Sequence, residues 1–120
     1  PVCDDAEHFD KVAAEITKAL HREYGLALPQ LGHSELIDGF QGQGYGITDD
    51  AGVTLLIDTA RADGVLLDHV YSGKAFRGMV ELCEQGDRRM KGRVIFIHTG
   101  GLFGLDAIAP QLARHGGVVT

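Results

Sequence analysis

No apolar run in this sequence approaches the roughly 18–20 residues that a membrane span needs, so a transmembrane helix is not expected. Polar residues follow Pro1 closely, so a secretory leader is not expected either, and a cytoplasmic location is. Basic residues are in the minority: 11 Lys and Arg against 17 Asp and Glu give a net charge of −6. A phosphate-tracking surface concentrates cations, so nucleic acid is an unpromising partner. Only two cysteines occur, Cys3 and Cys83, far apart and without a CxxC spacing, which predicts buried thiols rather than a disulfide or metal site. The six histidines do not cluster at metal-ligand spacing, and no GxSxG elbow is present for serine nucleophile chemistry.

What is abundant is glycine, 17 of 120 residues against a usual share of about 7%. The glycines gather at 39–46, 100–104 and 116–117 and mark particular loops. A chain of this length fits one domain, 1–120, and can bury roughly two-thirds of its extended surface.

Val2-Cys3 reads as the tail of a strand, and Asp4 or Asp5 as the cap of a first helix. Phe9, Val12, Ala13, Ile16 and Leu20 recur at spacings of three and four, and Gly25 stops that helix. A loop around Pro29 leads to a short strand at 35–38. Thr48 is the predicted cap of a second helix, with Val53, Leu56, Ile57 and Ala60 inward and Gly64 as its end. Ser72 is the predicted cap of a third helix, with Ala75, Phe76, Met79, Val80 and Cys83 buried. Val94-Ile95-Phe96-Ile97 has the composition of a strand covered on both faces. A last helix is predicted from Asp106, with Pro110 in its first turn. The alternation implies an α/β fold: a partial parallel sheet with flanking helices, completed by sequence outside this chain.

In such sheets ligands bind beyond the carboxyl ends of strands, which singles out His98-Thr99-Gly100-Gly101 and His69–Ser72. Gly42–Gly46, GQGYG, does not have the spacing of a dinucleotide fingerprint and reads as a hairpin-like loop carrying Tyr45. Each candidate has a plain structural alternative. Ser72 caps a helix, Thr99 satisfies a turn, and lone tyrosines are mostly half-buried aromatics.

The ordered run GYGITDDAGVTLLIDTARADGVLLDHVYSGKAFRGMVEL, then VIFIHTGGLFGL, resembles the carboxyl-terminal part of the D-cysteine desulfhydrase and 1-aminocyclopropane-1-carboxylate deaminase family. Those are pyridoxal-phosphate enzymes of the tryptophan-synthase-β-like fold (fold type II), and the resemblance covers roughly residues 42–105. It implies that Tyr45 and Tyr71 are the active-site tyrosines facing substrate. It implies that Ser72, Thr99 and Gly100 lie along the cofactor. Two substitutions stand out: His69 occupies a position where the family carries proline, and Ser72 one where it carries glutamate or threonine. The resemblance further implies that the Schiff-base lysine and phosphate loop lie elsewhere, so that Lys74 is a bystander and the isolated segment is inactive. The implied partners are a small amino-acid substrate, the amino-terminal part of the enzyme and a second copy of the chain. The other reading is a non-catalytic module that binds a small molecule or self-associates.

Overall fold

The computed structural model describes residues 6–25 and 35–116. The expected strand end at Val2-Cys3, the caps at Asp4 and Asp5, and the loop around Pro29 lie outside them. The chain divides into two compact units, one reaching to Asp38 and one from Gly39 onward.

The first unit contains α1, Ala6–Tyr24. Glu7 and Lys11, one turn apart, form an ion pair of 2.8 Å on its surface. The anticipated stripe is present but open to solvent at Phe9, Val12, Ile16 and Tyr24.

The second unit is built from α2, Asp50–Asp63, α3, Ser72–Glu84, and α4, Ala109–Arg114. The cap of α2 is Asp49 rather than Thr48: its carboxylate accepts from the Gly52 amide at 2.8 Å. Thr48 instead donates its hydroxyl to the His69 carbonyl at 2.9 Å, tying the start of α2 to the loop before α3. Gly64 closes α2 in the left-handed conformation, as expected. A 3₁₀ segment, Leu102–Ile108, precedes α4, which therefore begins three residues later than the sequence suggests. Pro110 sits in its first turn, where a missing N–H costs nothing.

α2 packs against α3 and α4. Leu56, Leu67 and Ile108 form the buried centre, with Phe76, Phe96, Leu105 and Leu112 against it. α3 presents a different face from the one its apolar residues mark. Ser72, Gly73, Gly78 and Leu82 are buried, whereas Ala75 and Cys83 are exposed. Small residues win because they permit close approach: a Cβ on Gly73 would stand 2.5 Å from the Asp68 carbonyl oxygen and 2.8 Å from Leu56 Cδ2.

The partial parallel sheet is not there. Among the described residues no strand occurs, and the second unit is helical with long irregular connections. A strand exists only through its ladder, and neither 35–38 nor 94–97 forms one among the described residues. In the clearest of them, Phe96 turns inward onto Phe76, ring centroids 5.3 Å apart, while Ile95 and Ile97 remain 79% and 77% exposed. No helix among the described residues is long and apolar enough to cross a membrane.

Candidate active site

The loop from Phe40 to Thr48 carries Tyr45 between Gly44 and Gly46, both at positive φ (150° and 69°), so its backbone has little conformational preference of its own. Lys74, in the first turn of α3, supplies the restraint. Its Nζ donates to the Gln41 carbonyl at 2.7 Å and to the Gly44 carbonyl at 2.6 Å. Lys74 thus clamps the backbone on either side of Gly42-Gln43.

Tyr71 stands immediately before α3, and its hydroxyl donates to the Tyr45 hydroxyl at 3.1 Å. The rings meet edge to face, centroids 5.9 Å apart at 71°. Both are more than half exposed, at 60% for Tyr45 and 54% for Tyr71. Two residues 26 apart in sequence are thus brought together with their polar ends touching.

Beneath this turn lies Asp68, only 1% exposed. Its Oδ1 accepts from the amides of Val70 (2.8 Å) and Tyr71 (2.7 Å), and its Oδ2 from the Ser72 amide (2.7 Å) and the Ser72 hydroxyl. The Asp68 amide in turn donates to Ser72 Oγ at 2.9 Å. Asp68 is therefore the acceptor for the start of α3, and Ser72 is its partner rather than the cap. Burial raises the Asp68 pKa, but the Ser72 hydroxyl and the three amides outweigh it and hold the carboxyl below its ordinary 3.8.

The glycine-rich loop after Phe96 is fastened to the same place. His98 Nδ1 accepts from the Gly100 amide at 2.9 Å, so Nε2 carries the hydrogen it gives to the Leu66 carbonyl at 2.7 Å. Gly101 adopts φ 93°, and a Cβ there would stand 2.9 Å from Asp68 Cγ. Only glycine lets this loop close on the buried carboxylate. Thr99 is exposed on it, and Gly100 is half-buried beside the His98 ring.

Of the candidate residues, Tyr45 and Tyr71 are in direct contact. Ser72 joins them through Asp68, with its hydroxyl hydrogen directed inward. Thr99 and Gly100 lie on a loop anchored to Leu66 and Asp68. The sequence reading missed Asp68 and the clamping role of Lys74. The cap rule could have found Asp68, since it stands four residues before Ser72, the first residue of α3, and its carboxylate offers two acceptors to the amides that open the helix. His69 is buried, and its Nδ1 has no hydrogen-bond partner among the described residues.

No family model matches the chain, and no solved structure does. Curated relatives do. The chain is 41% identical over 90 residues to a Thermotoga maritima protein provisionally named 1-aminocyclopropane-1-carboxylate deaminase; the match covers 75% of this chain and 27% of that protein. It is 38% identical over 99 residues to the D-cysteine desulfhydrase of Yersinia pestis, covering 82% and 30% respectively. Against the D-cysteine desulfhydrase of Serratia proteamaculans it is 39% identical over 98 residues, covering 82% and 29%. The chain spans less than a third of the length of these relatives.

Proposed function

Because the chain belongs to the family of D-cysteine desulfhydrases and 1-aminocyclopropane-1-carboxylate deaminases, we propose that it forms part of a pyridoxal-phosphate enzyme that deaminates a small amino acid. The observation that carries the proposal is the hydroxyl pair of Tyr45 and Tyr71, 3.1 Å apart on an exposed surface. The two hydroxyls stand within hydrogen-bond reach, so one can hold a proton while the other accepts or passes it, which suits the pair to proton transfer. Bound pyridoxal phosphate supplies an electron sink that draws charge from the substrate's α-carbon.

The described residues fit the proton-handling side of such a site and do not fit its covalent anchor. Lys74, the lysine beside Tyr45, has its Nζ engaged by two carbonyls. The anchor therefore belongs to another part of the enzyme, and this segment alone is inactive. Thr99, Gly100 and Ser72 are the proposed cofactor-facing residues. Ser72 directs its hydroxyl hydrogen to Asp68, so toward a ring nitrogen it only accepts. An accepting hydroxyl supports a protonated pyridine less than a carboxylate does. The resulting weaker sink favours α,β-elimination over opening a cyclopropane ring.

The proposed reaction is that of a D-cysteine desulfhydrase: D-cysteine and water give pyruvate, ammonia and hydrogen sulfide. The proposed partners are the remainder of the enzyme and a second copy of it, a reading supported by exposed apolar side chains at Ile95, Ile97 and Phe103. The test is an assay of the protein that contains this segment at the full length of its relatives. Sulfide and pyruvate release from D-cysteine is expected to exceed keto-acid release from 1-aminocyclopropane-1-carboxylate. Preferential turnover of the cyclopropane substrate overturns the assignment.

A further inference from the structure

Tyr45 is an exposed ring on a loop with glycines at 42, 44 and 46, so burial does not fix its position. Its ring contact with Tyr71 and one 3.1 Å hydrogen bond are too weak to order such a loop, since fixing each residue costs roughly 1–2 kcal/mol. Something must hold the backbone, and the two hydrogen bonds from Lys74 do so on either side of Gly42-Gln43. The Lys74 stem also runs beneath the loop, with Cε and Nζ each 3.9 Å from where a Gly42 Cβ would stand. The Gly44 carbonyl receives a second bond, from the Ile47 amide at 3.3 Å, which closes the turn around Tyr45.

Lys74 lies three residues after Tyr71, at the start of the same helix. The two phenols thus share one mount. Tyr71 is placed by its own backbone, whose amide donates to Asp68, and Tyr45 is placed by the lysine that rises from the next turn. We propose that Lys74 is a positioning residue that sets the Tyr45 hydroxyl in register with that of Tyr71. Its value for the reaction rests on the function proposed above; its effect on the geometry does not. The separation of 3.1 Å leaves little slack, because a displacement of about 0.5 Å takes the oxygens beyond hydrogen-bond range.

Nuclear magnetic resonance on this chain tests the proposal. Lys74→Met keeps the apolar stem and removes the donors, whereas Lys74→Arg keeps donors that reach both carbonyls. In Lys74→Met the cross-relaxation between the Tyr45 and Tyr71 rings is expected to fall severalfold, and the amides of 42–46 to exchange at least tenfold faster. Helix content stays unchanged, and Lys74→Arg restores the ring contact. Ring contact retained at full strength in Lys74→Met overturns the proposal. Should Lys74→Met not fold, the ammonium of the unsubstituted chain decides: slowed hydrogen exchange with cross-relaxation to the 41–44 backbone supports the clamp, and free exchange overturns it. Failure of the functional reading has a different signature, namely full activity in Tyr45→Phe with these resonance results intact.

Discussion

Asp68 shows how one residue can organise a site without touching its chemistry. A carboxylate with two oxygens serves four donors from three consecutive residues, and the turn it closes is the one that presents Tyr71. Asp68→Asn replaces one accepting oxygen by an amide that cannot serve the Ser72 amide and hydroxyl. Two charge-assisted bonds lost in a buried site predict a destabilisation of about 3 kcal/mol, seen as a fall in melting temperature of more than ~10 °C. The same carboxylate gives stability a pH dependence. Its folded pKa lies below 3.8, so its contribution is fully present above that value and is lost as the pH falls through the lower folded value. Asp49 is lowered by the Gly52 amide and by Arg77. Asp87 is brought to about 2 by its hydrogen bonds from Arg89, and both act in the same direction. Melting temperature is therefore expected to hold from neutral pH to about 4 and to drop between there and pH 2. In Asp68→Asn the drop is expected to be shallower; an equal drop would show that Asp68 is not part of it.

Among the elements, the closeness of α2 to α3 is set by glycine. Gly73→Ala forces a methyl against the Asp68 carbonyl oxygen, which cannot retreat without moving the turn that starts α3, and against Leu56 Cδ2 in the buried centre. A loss of about 1–3 kcal/mol is expected. Gly78→Ala meets only the Phe40 ring, at 3.0 Å, and is expected to melt closer to the unsubstituted chain. The helices were legible in the sequence where period and stop agreed, as in α1 with Gly25 and α2 with Gly64. The inward face of α3 was not, because apolar residues mark a burial preference while packing distance rewards small ones. The sheet was misread for a related reason. Val94–Ile97 has a strand's composition, but ladder pairing depends on a second segment that composition at one site cannot report. The tyrosines could be chosen only through the ordered motifs around them. Their contact, which joins residues 26 positions apart, is a property of the fold.

For the whole molecule, the exposed Ile95, Ile97 and Phe103, the last 95% accessible, fit a chain that spans under a third of its relatives. The proposed contact with the remainder of the enzyme or a second copy would cover such a surface. In the proposed function the two tyrosine hydroxyls act as one unit. The most direct measurement is a double-mutant cycle for sulfide release from D-cysteine by the protein that carries this segment at full length. Tyr45→Phe and Tyr71→Phe are each expected to lower kcat/KM about 10²-fold or more, and the double variant to be no worse than the poorer single one. Losses that multiply, or a single variant with undiminished turnover, would mean that the pair does not share a proton-transfer task.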